Sequence, residues 1–287
     1  MRRVEHLIND IRFNSNQLDT NRFSDIRLLK LLNNAQRAIQ NALFTSDMSD
    51  HILKKTALID TIADQEEYDL PTDIYAHSSI STVKRAINSS NSSYVVLNQI
   101  SDKETRNQMG YTVFNDKLII SPIPNVSITS GIKVFYQRKL PTLSIRIGQI
   151  DSYISGTSIT LKSGYSNATI GDFDDYITVV DSNGTIKQSG IKFTTYASGV
   201  ISTSDSLTSI AADDYVVLGE YATSHPQIPD PCEDLLTSHV ERSIYAVDSS
   251  SDVQFSSEEM AMIRDLFQKK DHDVKHPVII DNLYLNF

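Results

Sequence analysis

The order of hydrophobic and polar residues divides the chain into a helical beginning, a β-rich middle and a helical end. Apolar side chains recur at spacings of three and four over residues 24–44, which predicts a long amphipathic helix capped by Ser24. A shorter segment, residues 4–11, has the same period. The apolar stripe of the long helix consists of Leu28, Leu29, Leu32, Ala35, Ile39 and Leu43. Its predicted polar face carries Arg27, Lys30, Asn33, Asn34, Gln36, Arg37 and Gln40.

Short segments rich in β-branched residues follow the long helix and predict a series of strands. They cover residues 55–63, 68–70, 74–86, 94–97, 111–114, 117–121 and 132–136. The second strand must end at Pro71, because proline cannot donate a hydrogen bond to a neighbouring strand. Asn115 and Asp116 lie between two of the strands, and this pair predicts a two-residue hairpin turn.

Between about residues 145 and 218 the strands become shorter and turn residues more frequent. The turns include Asn183-Gly184, Ser189-Gly190 and Ser198-Gly199. This spacing favours a small β-sandwich or barrel. The helical period then returns over residues 235–244 and 256–269.

These patterns predict an α+β protein: a discontinuous helical core with short β-strands, and an all-β domain, sandwich-like or barrel-like, inserted into it. The predicted divisions are a core over 1–142, the β domain over 143–220, further core helices over 221–276 and an apolar tail over 277–287. The tail alternates apolar and polar residues. It is interpreted either as the last strand of its own domain or as an arm that docks on a neighbour.

The charge balance argues against tight binding of nucleic acid. The net charge is −10, and lysine and arginine occur only in short, scattered clusters, whereas phosphate-binding proteins carry a basic face. An acidic surface would instead let DNA pass without trapping it. The single cysteine, Cys232, cannot form an internal disulfide, and no apolar run is long enough to span a membrane. We therefore expect folding in a reducing cytoplasm.

No motif in the chain is typical of catalysis. The sequence lacks GxSxG, P-loop and GxGxxG patterns. His272 and His276 lie four residues apart, but Pro277 follows directly, and a solvated helix end is the favoured interpretation. We predict no catalytic residue, no cofactor and no metal. An acid–base pair of carboxylates leaves no local signature, so an enzyme of another type stays an alternative.

The order of several short motifs resembles that of the head-to-tail connector adaptor proteins of short-tailed bacteriophages. The resembling segments are Val4–Arg12, Phe23–Asp25, Leu28-Leu29, Leu32–Gln36, the run Tyr68-Asp69-Leu70-Pro71-Thr72-Asp73 and Asp234–Leu236. The resemblance covers about residues 1–140 and 225–275. The inserted β domain departs from the simplest members of this group and resembles an extra collar domain. More narrowly, crAss-like phages carry large connector proteins of this general kind.

The resemblance implies a structural virion protein that forms a ring, usually twelvefold, under the portal at the virion neck. Its partners would be the portal, tail or further ring proteins and neighbouring copies of itself. DNA would cross the ring without specific binding, no membrane would be involved, and the protein would be made in the host cytoplasm. The candidate interface residues are Arg27, Lys30, Arg37, Leu283, Tyr284, Leu285 and Phe287.

A second hypothesis is a binding module on a virion or cell surface, in which the β domain recognises a glycan or a protein. It requires a cluster of exposed aromatic side chains. The candidates are Tyr153, Tyr165, Tyr176, Tyr196 and Tyr215. The absence of tryptophan from the whole chain argues against glycan binding.

Overall fold

Three helices form one core although they come from opposite ends of the chain. The computed structural model describes residues 2–15, 23–44, 53–88, 93–100, 108–162, 176–228, 230–246 and 261. The helices are α1 (Val4–Asn14), α2 (Asp25–Phe44) and α3 (Asp230–Ala246). Leu7 of α1, Leu32 of α2 and Leu236 of α3 are fully buried in the same cluster. Each such leucine contributes about 1.5–3 kcal/mol by leaving water, which explains why α3 returns to the first two helices.

The first β unit is a seven-stranded sheet that curls around its own core. Its strands are β1 (Lys54–Thr61), β2 (Glu67–Asp69), β3 (Ile80–Ala86), β4 (Tyr94–Gln99), β5 (Gly110–Phe114), β6 (Lys117–Ser121) and β7 (Ile128–Gln137). They pair in the order β1-β7-β3-β4-β5-β6-β2. The predicted hairpin turn is confirmed, because β5 pairs with β6 and Asn115 and Asp116 both have positive φ, 49° and 59°.

The second β unit is a closed six-stranded barrel. Its strands are β9 (Arg146–Ile154), β10 (Ser158–Leu161), β11 (Tyr176–Val180), β12 (Ile186–Ala197), β13 (Val200–Thr203) and β14 (Tyr215–Leu218). They close in the order β10-β13-β12-β11-β14-β9. The interior is filled by aliphatic side chains such as Ile159, Ile177 and Val216, all fully buried. The predicted all-β unit therefore exists, and it is a barrel.

The chain enters and leaves the barrel side by side. Two short strands, β8 (Thr142–Leu143) and β15 (Ala222–Thr223), pair in parallel. The Ser144 N–H donates a 2.9 Å hydrogen bond to the Thr223 carbonyl, which holds the two connections together. This closely spaced entry and exit is what an inserted unit requires. The α+β fold with a discontinuous helical core is confirmed.

Some predicted segments differ from the structure or lie outside it. The strand predicted over 74–86 begins only at Ile80, because Ile74 forms an isolated bridge with Arg138 and His77–Ser79 form a 3-10 turn. Apart from residue 261, the helix predicted over 256–269 lies outside the described residues, as does the tail over 277–287. None of the described helices is long and apolar enough to cross a lipid bilayer.

Candidate docking surfaces

The exposed side of α2 carries a stripe of positive charge. Arg27, Lys30 and Arg37 are all exposed, and their spacing of three and seven residues puts them on one side of the helix. The Arg27 guanidinium lies 4.8 Å from the centre of the Phe23 ring. The only acidic residue of α2 is Asp25 in its first turn, which pairs with Arg12 at 2.6 Å. The three predicted interface residues of α2 therefore form one cationic surface, the α2 stripe.

The prediction that Gln36 and Gln40 lie on the polar outer face of α2 is wrong, whereas Asn34 is exposed as predicted. Gln36 and Gln40 are buried, with exposed fractions of 4% and 5%. Gln36 Nε2 donates a 2.8 Å hydrogen bond to the Pro141 carbonyl. Gln40 Oε1 accepts one of 3.3 Å from the Leu140 N–H, and Asn33 bonds both backbone groups of Leu143. These amides satisfy the backbone of the segment that leads into the barrel, so they cannot serve a partner.

The remaining predicted interface residues cannot be placed. Leu283, Tyr284, Leu285 and Phe287 lie outside the described residues. Their role in docking stays a prediction.

The run Tyr68–Asp73 is an internal anchor. The Tyr68 side chain is buried, and its hydroxyl donates a 2.9 Å hydrogen bond to the Gln65 carbonyl. Asp73 is 5% exposed and accepts two short hydrogen bonds of 2.6 Å, from the Tyr136 hydroxyl and from Lys55 Nζ. The Tyr221 hydroxyl, from the exit of the barrel, approaches the same carboxylate at 3.4 Å. Sequence spacing gives no signal for this group, because its members are far apart in the chain.

The ionisation of this group follows from its surroundings. Burial acts to raise the pKa of Asp73, but the hydrogen bonds from Lys55 and Tyr136 outweigh it and lower the pKa. Burial, with the charge of Asp73, raises the pKa of Tyr221 to about 12. Burial, with the hydrogen bond that its hydroxyl donates to Asp73, also raises the pKa of Tyr136. Asp73 is therefore the anion of the group, and it is held by one cation and two neutral hydroxyls. We interpret this arrangement as stabilising the fold.

A second polar group joins the barrel to the helices. The Arg146 guanidinium stacks 3.8 Å from the centre of the Tyr215 ring and donates to Ser224 Oγ at 3.1 Å. The Arg146 N–H donates to Glu5 Oε1 of α1 at 3.0 Å. His225, next to Ser224, is 5% exposed. Burial, together with the positive charge of Arg146, lowers the pKa of His225 to about 4, so its imidazole is neutral at physiological pH.

The described residues offer little for metal binding or nucleophilic chemistry. Among them, no group of three or more His, Cys, Asp or Glu is arranged to hold a metal ion. Cys232 is fully buried in α3, and burial raises the pKa of its thiol to about 11, which leaves it protonated and inert. His272 and His276 lie outside the described residues.

The barrel tyrosines that the structure describes do not form the exposed cluster that a glycan-binding module requires. Of the five tyrosines proposed for such a cluster, the structure describes four, and among these Tyr153 is the exposed one, at 39%. Tyr176, Tyr196 and Tyr215 are half-buried, and Tyr196 packs against the barrel core. Tyr165 lies outside the described residues.

The described part of the chain thus consists of a helical core, a curled sheet and an inserted barrel, with a cationic surface exposed on α2. The model of the SU10 adaptor protein family matches residues 1–157 of the 287. The chain belongs to this family and is a structural adaptor protein of a bacteriophage. The match includes α1, α2 and the seven-stranded sheet, while α3 and most of the barrel follow it. No curated protein matches the chain. The narrower assignment to crAss-like phages stays a prediction.

Proposed function

We propose that the protein forms a ring, twelvefold as in the resembling connectors, beneath the portal, where it joins the capsid to the tail and extends the DNA channel. The observation that carries this proposal is the α2 stripe, an exposed cationic surface on a helix that lies within the residues matched by the adaptor family model. A subunit of a closed ring must also present two different patches to its neighbours, because a head-to-tail contact is heterologous.

The α2 stripe is the proposed contact with the portal or with a neighbouring subunit. Its arginine and lysine side chains are long, exposed and on one rigid helix, so they can pair with carboxylates on a partner. Such contacts raise the rate of encounter and select the partner more than they add affinity. This fits a protein that assembles on a template.

The overall charge suits a channel wall. DNA that crosses the ring meets a protein with a net charge of −10, and repulsion between like charges keeps the duplex from binding tightly. In the proposed domain division the barrel covers residues 143–220. We assign it the role of an extra collar that contacts the tail or a further ring protein. The site of action is then the neck of the virion, after synthesis in the host cytoplasm.

The proposal is tested by reversing the charge of the α2 stripe. The double variant K30E/R37E should bind the portal of the same phage about tenfold or more weakly, since like charges placed in a contact are strongly unfavourable. The matched control is K187E/K192E, which makes the same charge change at two exposed positions of the barrel. Binding is measured by sedimentation of mixtures with the portal. Equal binding by both variants and the wild type would exclude the α2 stripe from the contact.

A further inference from the structure

The outer face of the curled sheet carries an unusual row of side chains. Leu58 of β1 pairs with Lys133 of β7, Lys133 pairs with Lys84 of β3, and Lys84 pairs with Val96 of β4. Four neighbouring strands thus align two lysines between two apolar residues. Leu58 and Val96 are 57% and 55% exposed. We call this surface, Leu58, Lys84, Val96 and Lys133, the basic end of the sheet.

The two lysines are directly opposite each other, which is unfavourable for a folded sheet, because like charges in a cross-strand pair repel. Each ammonium lies over an aromatic ring: Lys84 Nζ is 5.1 Å from the centre of Phe135, and Lys133 Nζ is 4.0 Å from the centre of Tyr94. Within the part of the chain that the structure describes, neither forms an ion pair with a carboxylate.

Protection of a sheet edge does not explain this pair. Lysines on an edge strand prevent unwanted pairing with other chains, and Lys54 of the edge strand β1 fits that role. Lys84 and Lys133 instead lie on β3 and β7, which have partners on both sides. The acidic residue of β1, Asp60, accepts the Ser130 N–H at 2.6 Å.

The other end of the same sheet has the opposite charge. Glu67 and Asp69 are exposed on β2, and the side chain of Asp116, in the turn between β5 and β6, is 90% exposed. Phe114, beside that turn, is 55% exposed. Lys117 pairs with Asp69 and compensates part of the charge. We call this surface, Glu67, Asp69, Phe114 and Asp116, the acidic end of the sheet.

We infer that the basic end of the sheet binds the acidic end of the same sheet in a second copy of this chain. Each surface combines a net charge of one sign with at least one exposed apolar side chain, although Lys117 and His77 lie against Asp69 and Asp116 on the acidic end. Charged and apolar side chains together are typical of a protein contact. The exposed Leu58 and Val96 have no counterpart on a phosphate backbone, so a protein partner fits better than DNA. Because the two ends differ, the contact is heterologous and repeats from copy to copy. The inference rests on the proposed ring and identifies its subunit contact.

The test reverses each end separately and then both together. K84E/K133E and E67K/D69K should each reduce association between copies about tenfold or more, because each places like charges in the contact. The variant with all four substitutions restores opposite charges and should regain association. An equimolar mixture of the two double variants should also regain it, because each copy then meets a complementary neighbour. The barrel variant K187E/K192E is the matched control.

Association of the wild type and of each variant is measured by sedimentation at high protein concentration, with and without the portal. The contact itself is identified by zero-length carbodiimide cross-linking of isotope-labelled and unlabelled wild-type protein under the same two conditions. The inference predicts cross-links between copies that join Lys84 or Lys133 to Glu67 or Asp69. If these are missing under both conditions, or if the double variants associate like the wild type, the inference is wrong. The inference is also wrong if K84E/K133E binds duplex DNA more weakly than the wild type but associates with other copies as the wild type does, because the basic end would then bind DNA. The inference and the proposed function can fail separately: if variants that no longer associate with other copies still bind the portal, the proposed function stays intact.

Discussion

The Tyr136 hydroxyl donates a 2.6 Å hydrogen bond to Asp73 Oδ1 in the interior of the protein. Tyr136 is on β7 of the curled sheet, and the other oxygen of Asp73 receives Lys55 from β1. The nearby Tyr221 leads out of the barrel towards α3. One buried carboxylate thus joins the sheet to the connection between barrel and helices. This explains structurally why an aspartate ends the run Tyr68–Asp73.

Replacing Asp73 by asparagine should destabilise the protein by roughly 2 kcal/mol, because charged hydrogen bonds in a buried site are lost and Lys55 is left without its anion. The matched control is D69N, since the Asp69 side chain is 85% exposed and its pairing with Lys117 contributes little. Urea unfolding at neutral pH gives both values. Equal unfolding midpoints for D73N and D69N would show that the anchor has no energetic role.

Acid should destabilise the protein through His225. Its pKa is about 4 in the folded protein and 6.5 in the unfolded chain, so between these values only the unfolded state takes up the proton. The contribution of neutral His225 to the free energy of unfolding is fully present above pH 6.5 and is lost as the pH falls towards 4. At about 1.4 kcal/mol per pKa unit, it is on the order of 3–4 kcal/mol.

The check is the free energy of unfolding measured from pH 7 to pH 4 in the wild type and in H225Q. The variant should show a flatter dependence on pH, because it cannot take up the proton. The control S224A removes a neutral partner of His225 and retains the imidazole, so it should keep the wild-type slope. A slope in H225Q equal to that of the wild type would contradict a neutral, buried His225.

Gly184 should tolerate a methyl group less well than Gly156. Both have positive φ, 80° and 78°, so alanine at either position costs about 1 kcal/mol of backbone strain. A Cβ at Gly184 would lie 2.6 Å from His225 Nδ1, whereas one at Gly156 would meet nothing within 4 Å. G184A should therefore lose about 1–3 kcal/mol more than G156A. Equal thermal midpoints for G184A and G156A would contradict this and would show that Gly184 and His225 can move apart at little cost.

The described helices and the turn between β5 and β6 could be predicted because their signals are local. The period of apolar residues predicted a helix over 24–44, and the structure has α2 at Asp25–Phe44. Ser24 Oγ accepts the Arg27 N–H at 3.4 Å, as its place before the helix indicates. Charge also separates exposed from buried positions, since Lys30 and Arg37 face solvent.

The polar interior of the protein could not be predicted from the sequence. The polar side chains of Gln36 and Gln40 predicted exposure although Gln36 follows Leu32 by about one helical turn. Their hydrogen bonds with the backbone at Leu140 and Pro141 make the burial favourable. The alignment of Lys84 with Lys133 depends on strand register, which non-local pairing decides. Both features arise from residues that are distant in the chain.

Co-assembly with the portal of the same phage, imaged by electron microscopy, tests the central claim most directly. The account predicts a ring stacked on the portal that neither protein forms alone, with the copy number read from its symmetry. If the full-length protein, with its tail over 277–287 intact, forms no complex over a range of salt concentrations, the proposed role at the head–tail junction is wrong.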